Sequence, residues 1–361
     1  MTANSGYRGS LPLNLGISIF AATLILARAS HTPIKLYLLV HHTEHWAAKM
    51  SATIATTLQT ATEKLGGLSH SPRLDAEILL SLATGKTKTH FRAWPEKHLS
   101  VEEQSHFQNL LEQRLIGHPI AYLTGTREFW SREFMVTPNV LIPRPETELL
   151  VELALQLIDG WETKATSEHR VIQIADLGTG SGAIAITLGL ELTQAAITAL
   201  DLSLAALALA EQNASRLGAN NIRFIQSDWF SALPAQEHFD LIVSNPPYIA
   251  ENDPHLQLGD VRFEPSLALS SGPDGLDAIR RIVNDAPNRL KPGGWLLFEH
   301  GYEQADKSRE LLQAAGYEDV ASFPDLQAHL RVSAGRIGRG GFGTRPHNSI
   351  PTHLLQHFQH Q

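Results

Sequence analysis

An asparagine, two prolines and a tyrosine stand in a row at Asn245-Pro246-Pro247-Tyr248, directly after an apolar run that is typical of a buried strand. Two consecutive prolines can neither continue a hydrogen-bonded ladder nor enter a helix interior, so the backbone here is extended and stiff. Open α/β sheets bind their ligands at the carboxyl ends of strands, which is where this tetrad lies. The sequence therefore predicts that the Asn245 carboxamide faces a ligand.

The acceptors of this tetrad suit a planar NH2 group. The side-chain oxygen of Asn245 and the carbonyl oxygen of Pro246 can together accept both hydrogens of such a group. The aromatic ring of Tyr248 can stack on the rest of it. The arrangement could thus present an amide nitrogen or an exocyclic amine nitrogen to an electrophile. The plainer alternative is a turn whose prolines only end the strand and whose tyrosine is packed inside.

A glycine-rich turn upstream has the spacing of a nucleotide site. Gly178, Gly180 and Gly182 follow a predicted strand and precede a predicted helix, so the backbone can approach a ligand closely. Asp201 ends the next strand, where an acid can accept both hydroxyls of a ribose. The glycines alone are weak evidence, because they also satisfy the dinucleotide pattern of an NAD-dependent oxidoreductase.

Two further acids favour a different ligand. Asp176 stands two residues before the first glycine, where it would repel a pyrophosphate but could receive the α-amino group of a ligand. Asp228, at the end of the third strand, offers an acceptor for an adenine amine, and the ring of Trp229 lies beside it. An adenosine that carries an amino acid fits these positions better than a dinucleotide does.

Composition restricts the classes of function. The 361 residues include no cysteine, which excludes a disulfide framework, a thiolate metal site and a cysteine nucleophile. A formal net charge of -8 argues against broad electrostatic affinity for nucleic acid. The apolar content of 43% and charged content of 18% indicate a soluble globular protein.

The hydrophobic periodicity changes near the middle of the chain. Residues 50–125 are predicted to form a small helical bundle, in which Ser100 and Glu103 make a capping box before the third helix. Residues 126–146 are predicted to form a hairpin linker. Residues 147–337 alternate between strand and helix, which predicts a doubly wound α/β domain. Seven strands are expected there, at residues 171–175, 197–200, 222–226, 239–244, 295–299, 317–323 and 330–335.

Both ends of the chain differ from the rest. Residues 9–27 are uncharged and flanked by arginines, which is compatible with a membrane span or a signal peptide. Our hypothesis is instead that translation begins at Met50, just before the first amphipathic helix, and that residues 1–49 are a leader that is not native or is disordered. Residues 338–361 are rich in glycine and histidine, and we expect a disordered tail there without a metal site.

Taken in order, the glycine-rich loop, the ribose acid and the Asn-Pro-Pro-Tyr tetrad resemble the S-adenosyl-L-methionine-dependent methyltransferases that act on amino groups. The resemblance implies a seven-stranded Rossmann-like domain that uses S-adenosyl-L-methionine and releases S-adenosyl-L-homocysteine. The tetrad is shared with adenine-N6 DNA methyltransferases, so by itself it leaves nucleic acid and protein substrates open.

Three further stretches narrow the resemblance, which covers residues 51–336. Residues 141–148 (Leu-Ile-Pro-Arg-Pro-Glu-Thr-Glu), residues 119–125 with Glu128-Phe129, and residues 261–265 with 272–275 are similar to the release factor glutamine methyltransferase family. The family implies methylation of the N5 amide nitrogen of the glutamine in the Gly-Gly-Gln loop of class I peptide chain release factors. We expect the helical bundle at residues 50–125 to position a partner in substrate recognition, or else simply to pack. The departures lie at residues 1–49, after Arg336 and at residues 326–330, outside these motifs.

The site residues that we expect fall into three groups. The catalytic residues are Asn245, Pro246 and Tyr248. The cofactor-binding residues are Asp176, Gly178, Thr179, Gly180, Ser181, Gly182, Asp201, Asp228, Trp229 and Asn245. The substrate-binding residues are Asn245, Pro246, Pro247, Tyr248, Arg144 and Glu264, although a bracing role for Arg144 and a structural role for Glu264 are equal alternatives.

We expect a cytoplasmic monomer that acts on a protein and binds neither nucleic acid directly nor a membrane. Three alternatives stay open at this point. An adenine-N6 type nucleic-acid methyltransferase would act on DNA, an NAD-dependent Rossmann oxidoreductase would bind NAD, and a non-catalytic binding module would bind the cofactor without transfer.

Overall fold

The computed structural model describes residues 52–162 and 171–338. The expectations for residues 1–49 and for residues 339–361 lie outside this part of the chain. The described residues divide into two compact units, residues 52–66 with 71–109, and residues 67–70 with 110–162 and 171–338.

The first unit is helical, as its periodicity predicts. Helix α1 spans Ile54–Leu65, α2 Pro72–Thr84 and α3 Lys88–Ala93, and α4 (Val101–Leu115) begins in this unit. The apolar face predicted for the first helix is confirmed, because its buried residues are Ile54, Thr57, Leu58, Ala61 and Leu65.

The capping box before α4 is also confirmed. The backbone N–H of Glu103 donates to Ser100 Oγ over 3.1 Å, and the backbone N–H of Ser100 donates to Glu103 Oε2 over 2.9 Å. Two amide groups that the helix cannot satisfy internally thus find partners, which fixes where α4 begins.

The second unit opens with helix α5 (Ile120–Thr124) and the predicted hairpin, β1 (Thr126–Phe129) paired with β2 (Arg132–Met135). Strands and helices then alternate, with a 3₁₀ turn at Pro145–Thr147 before the first long helix. The helices are α6 (Glu148–Glu162), α7 (Ala183–Glu191), α8 (Leu204–Leu217), α9 (Asp277–Asp285) and α10 (Ala305–Ala314). The strands are β3 (Gln173–Leu177), β4 (Ala196–Asp201), β5 (Ile222–Gln226), β6 (Phe239–Ser244), β7 (Leu290–Glu299), β8 (Glu318–Pro324) and β9 (Leu330–Arg336).

These seven strands form one sheet in the order β5-β4-β3-β6-β7-β9-β8. Strands β3 to β7 pair in parallel, whereas β9 is antiparallel to both β7 and β8. The chain leaves β3 toward β4 and β5, then returns to place β6 on the other side of β3. The strand order therefore reverses between β3 and β6, and α/β sheets bind ligands in the crevice at such a point.

Helices cover both faces of the sheet, so its central strands are apolar on both sides. On one face, α6 and α7 pack against Ile174, Leu241 and Val243. On the other face, α9 and α10 pack against Ala175 and Ile242. The doubly wound α/β fold predicted from the sequence is confirmed.

Two strands differ from the prediction by more than one residue at an end. Strand β3 continues through Asp176 and Leu177, since both residues pair with β4 and with β6 although Asp176 is polar. Strand β7 begins at Leu290, before its predicted start at residue 295, and residues 291–294 lie where the register of pairing with β6 shifts. A bulge absorbs these residues because pairing resumes on both sides of them.

Within residues 52–162 and 171–338, none of the helices combines the length and the apolar character that crossing a membrane requires.

Ser100→Ala should lower the free energy of unfolding by about 1 kcal/mol, because it removes the N-cap acceptor of α4. Chemical denaturation measures this change. Ser105→Ala is the matched control, since Ser105 is exposed in the same helix and its replacement should change stability by less than about 0.5 kcal/mol. Equal stabilities of the two variants would show that the capping box contributes nothing.

Candidate active site

A cavity of about 620 Å³ opens at the carboxyl ends of β3, β4 and β6. Its walls come from the loop after β3, the ends of β4, β5 and β6, residues 138–143 and residues 265–270. The predicted site residues that line it are Gly178, Thr179, Gly180, Ser181, Asp201, Asp228, Trp229, Asn245 and Pro247. Those that the structure does not place in its lining are Asp176, Gly182, Pro246, Tyr248, Arg144 and Glu264.

The glycine loop bends into the cavity through left-handed backbone. Gly178, Gly180 and Gly182 have φ angles of 72°, 56° and 82°, a region that side chains with a Cβ disfavour. A Cβ on Gly180 would meet no heavy atom of the described residues within 4 Å, whereas a Cβ on Gly182 would lie 2.6 Å from Ile186 Cδ1. Gly180 therefore leaves room for a ligand, and Gly182 leaves room for helix packing.

Asp176 is fully buried beneath this loop instead of facing the cavity. Its Oδ2 accepts hydrogen bonds from the Thr179 hydroxyl (2.7 Å) and from the backbone N–H of Ala185 (3.2 Å). Burial raises the pKa of the carboxyl to about 7. In this arrangement Asp176 holds the loop against α7.

Asp201 stands at the cavity wall in a fixed orientation. One carboxylate oxygen accepts the backbone N–H of Gly180 (2.9 Å) and the other that of Ser203 (2.8 Å). Burial raises the pKa of this carboxyl above its ordinary value. Each oxygen keeps a further lone pair, so the carboxylate can still accept hydroxyl donors from a ligand.

Asp228 and Trp229 reach the cavity together, as their positions predict. Arg281 holds the Asp228 carboxylate with both terminal nitrogens, at 2.9 and 2.8 Å. Trp229 has a φ of 52°, which is rare for a bulky residue. Strained backbone of this kind concentrates at ligand sites. The ring of Trp229 lies close to Gly178, since a Cβ there would be 3.9 Å from Trp229 Cζ3.

Asn245 reaches the cavity with one end of its carboxamide already occupied. Its Nδ2 donates to Thr147 Oγ1 over 3.0 Å, and the Thr147 hydroxyl donates to Glu299 Oε2 over 2.6 Å. The Asn245 Oδ1 is buried and has no hydrogen-bond partner among the described residues. Since unpaired buried acceptors are costly, this oxygen is suited to accept a donor from a ligand.

Tyr248 lies outside the cavity lining, in contrast to its predicted stacking position. Its ring packs against the core on the α9 side of the sheet, and its hydroxyl donates to Glu299 Oε1 over 3.1 Å. Burial, together with the neighbouring Glu299, raises the pKa of this hydroxyl. Gly275 lets a neighbouring loop approach, because a Cβ there would be 2.2 Å from the Tyr248 carbonyl oxygen.

Arg144 and Glu264 bind each other instead of the cavity. The Arg144 guanidinium donates to Glu264 Oε1, and the backbone N–H of Ile142 donates to Glu264 Oε2 over 3.0 Å. The Glu264 side chain is 0% exposed, so it cannot touch a substrate in this structure. The pair joins the segment around Pro143 and Pro145 to the loop that supplies Pro265 and Ala268 to the cavity wall.

Sequence reasoning missed Thr147, Glu299 and Ser270. Thr147 and Ser270 line the cavity, and Ser270 Oγ is buried without a hydrogen-bond partner among the described residues. Glu299 could have been found by the rule that found Asp201, since it is an acid at the end of an apolar strand. Thr147 could not, because only the tertiary fold brings it to Asn245.

A seven-stranded doubly wound sheet with a glycine loop after β3, an acid after β4 and Asn-Pro-Pro-Tyr after β6 defines a Rossmann-like S-adenosyl-L-methionine-dependent methyltransferase. Residues 56–125 match the PrmC N-terminal domain and residues 163–266 the methyltransferase small domain.

Known relatives narrow this class further. The chain is 47% identical to the release factor glutamine methyltransferase of Vibrio cholerae, over 80% of this chain and 98% of that protein. It is 50% identical to that of Xylella fastidiosa, over 77% of this chain and 96% of that protein. It is 47% identical to that of Escherichia coli, over 74% of this chain and 93% of that protein. The chain belongs to the release factor glutamine methyltransferase family. This membership confirms the resemblance and does not favour the DNA methyltransferase or oxidoreductase alternatives.

The cofactor S-adenosyl-L-methionine, an adenosine carrying an amino acid, fits the residues present. Gly180 leaves the loop open to a ligand, and Asp201 offers oriented acceptors. Trp229 supplies a flat apolar ring beside Gly178. Two cavity residues, Asn245 and Ser270, have unpartnered polar atoms for polar parts of the cofactor or the substrate.

Replacing the two glycines separates cofactor binding from folding. Gly182→Ala should lower the free energy of unfolding by about 1–3 kcal/mol more than Gly180→Ala does, because only its methyl group overlaps the packed side chain of Ile186. Gly180→Ala should instead weaken binding of S-adenosyl-L-methionine at least about tenfold. Thermal denaturation and calorimetric titration measure the two effects. Equal destabilisation by both substitutions would contradict this division.

Asp176→Asn should change how stability depends on pH. The Asp176 carboxyl has a pKa of about 7 in the folded protein, whereas an aspartate in an unfolded chain titrates near about 3.9. Because the folded state holds this proton more tightly, the stability that Asp176 contributes falls as pH rises from about 4 to about 7. The variant lacks this loss, so the difference between its Tm and that of the wild type should rise between about pH 4 and about pH 7. A constant Tm difference would contradict the prediction.

Proposed function

We propose that this protein transfers a methyl group from S-adenosyl-L-methionine to the N5 amide nitrogen of the glutamine in the Gly-Gly-Gln loop of class I peptide chain release factors. The observation that carries the proposal is the Asn245 carboxamide, whose Nδ2 is fixed on Thr147 and whose Oδ1 is unpartnered. The names of the relatives point to the same substrate. We propose that the reaction takes place in the cytoplasm, where release factors act.

The chemistry required of the protein is mainly positioning. A glutamine amide nitrogen is a poor nucleophile because its lone pair is delocalised into the carbonyl group. Accepting its two hydrogens at Asn245 Oδ1 and the Pro246 carbonyl orients the nitrogen and increases its electron density. The bound cofactor supplies an electrophilic methyl group. No strong base is required before transfer, since the amide proton can leave afterwards.

The stiff backbone around the tetrad supports this role. Pro246 and Pro247 restrict φ on both sides of the acceptor carbonyl, so little conformational entropy is lost when the substrate binds. Tyr248 is proposed to contribute through the position that its hydrogen bond to Glu299 gives to the tetrad. Arg144 and Glu264 are proposed to shape the substrate entrance by bracing the loop that carries Pro265.

The partner proposals follow from the same substrate. We propose that the enzyme acts as a monomer on a protein, without direct binding of nucleic acid, and that residues 50–125 take part in recognising the release factor. Supporting this, the match to the PrmC N-terminal domain covers residues 56–125.

One transfer assay tests the substrate. The purified protein and radiolabelled S-adenosyl-L-methionine are offered a class I release factor, the same factor with its loop glutamine changed to alanine, and duplex DNA. Label should appear only on the unaltered release factor. Label on DNA would favour a nucleic-acid methyltransferase, and label on the altered factor would place the methyl group elsewhere. Cofactor binding without any transfer would indicate a binding module.

Asn245→Ala should lower the rate of transfer at least about 100-fold, because the acceptor that orients the substrate amide is lost. Its affinity for S-adenosyl-L-methionine should largely survive, as measured by calorimetric titration. Asp201→Ala is the matched comparison and should weaken cofactor binding instead, because it removes an oriented acceptor that lines the cavity beside the glycine loop. Retained turnover in the Asn245 variant would refute the proposed role.

A further inference from the structure

Behind Asn245, a chain of hydrogen bonds leads away from the cavity to a buried carboxylate. Asn245 Nδ2 donates to Thr147 Oγ1 over 3.0 Å, and Thr147 Oγ1 donates to Glu299 Oε2 over 2.6 Å. Glu299 lies at the carboxyl end of β7, next to β6, and is 1% exposed. We propose that Glu299 is a positioning residue that determines which atom of the Asn245 carboxamide faces the substrate.

The direction of this chain follows from the number of protons available. A threonine hydroxyl has one hydrogen to donate and two lone pairs that accept. A carboxylate has no hydrogen, so the single hydrogen of Thr147 must be directed to Glu299. Thr147 can then only accept from Asn245. The atom of Asn245 that faces Thr147 must therefore be Nδ2, and the atom left for a ligand must be Oδ1.

Both oxygens of Glu299 accept hydrogen bonds. The Tyr248 hydroxyl donates to Oε1 over 3.1 Å, in addition to the Thr147 hydroxyl on Oε2. Burial raises the pKa of Tyr248, so this phenol keeps its proton and remains a donor. Burial raises the pKa of Glu299, whereas the hydrogen bonds from Thr147 and Tyr248 lower it. With one donor on each oxygen, the ionised carboxylate, which can only accept, satisfies the whole arrangement.

This orientation matters because a carboxamide has a donor end and an acceptor end of nearly the same shape. If Asn245 turned over, it would present its NH2 group to the NH2 group of the substrate, and two donors cannot bond. The inference rests on the proposed function in this one respect, that the substrate nitrogen carries the hydrogens to be accepted. The orientation of Asn245 itself is a property of the free protein.

Glu299→Gln keeps the shape of the side chain but replaces one acceptor oxygen by an NH2 donor, so the direction of the hydrogen bonds is no longer fixed. With the new amide oxygen accepting from Tyr248, its NH2 group donates to Thr147, and Thr147 then donates to Asn245 Oδ1. The opposite placement of the new amide leaves the buried Tyr248 proton without an acceptor, which makes it the less favourable arrangement. Asn245 should therefore turn over, and kcat should fall at least about tenfold while KM and cofactor affinity change less than about threefold. An unchanged kcat would overturn the proposal.

Asn245→Asp provides the complementary change. In the wild-type background it places a second carboxylate beside Thr147, which can donate to only one of them, so kcat should fall. Combined with Glu299→Gln, the reversed chain is satisfied and an acceptor again faces the cavity. The double variant should be at least about tenfold more active than the product of the two single effects predicts. Multiplicative effects would indicate that Glu299 does not act through Asn245.

Two controls separate positioning from general stability. Asp240→Asn neutralises a buried carboxylate at the other end of β6, which accepts from Gln173 and Lys291. It should lower Tm without changing kcat. Thr147→Ser keeps the hydroxyl and should retain kcat. Thr147→Val removes the hydroxyl and should lower kcat. A fall in kcat for Asp240→Asn equal to that for Glu299→Gln would assign both losses to destabilisation.

A measurement without substrate keeps this inference separate from the proposed function. In protein labelled with ¹⁵N-asparagine, the resonance of the Asn245 side chain is identified by its loss in Asn245→Asp. Its hydrogens should exchange with solvent faster in Glu299→Gln than in wild type, because the turned amide faces the cavity. Equal exchange rates would overturn the proposal. If wild-type protein transfers no label to a release factor, the proposed function fails and this comparison alone decides the role of Glu299.

Discussion

The parallel pairing of β3 with β6 is the constraint on which the rest of the site depends. The two strands are adjacent in the sheet, with Leu177 opposite Ser244, although these residues are 67 positions apart in the chain. The Ser244 hydroxyl donates to the Leu177 carbonyl over 2.8 Å, directly before the glycine loop and the Asn-Pro-Pro-Tyr tetrad begin. Because parallel strands end at the same edge, the loop and the tetrad open onto one cavity. A shift of one residue in this register would turn Asn245 to the opposite face.

Three carboxylates are buried around this edge, and each is held by donors from a different part of the chain. Asp176 binds the glycine loop and α7, Glu264 binds Ile142 and Arg144, and Glu299 binds Thr147 and Tyr248. Burial raises the pKa of all three carboxyls. Burying charge costs free energy, so such groups are weak evidence for stability. Their common property is that each joins two segments that form the cavity, which indicates a role in fixing its shape.

The fold and part of the site could be predicted because they follow local rules. Helical periodicity predicted the helical bundle, and the alternation of strands and helices predicted the α/β domain. The rule that acids or amides at strand ends face a ligand predicted Asp201, Asp228 and Asn245, which all reach the cavity. The predictions that differ from the structure depend on tertiary packing. Asp176 precedes a glycine loop yet is fully enclosed, and Tyr248 is adjacent to the site in sequence yet turns into the core. No local pattern shows that Glu264 faces inward to bind Arg144.

Thr147 illustrates why the remainder could not be predicted, and what the fold achieves there. It lies 98 residues before Asn245 in the 3₁₀ turn that begins at Pro145, and its backbone N–H donates to the Arg144 carbonyl over 3.1 Å. Two stiff proline-containing segments therefore meet at one hydrogen bond. Proline limits the conformations available before folding as well as after it, so both partners are held in place at small entropic cost. For a reaction that needs an amide nitrogen held in line with a methyl group, such rigidity contributes more than an additional charged group would.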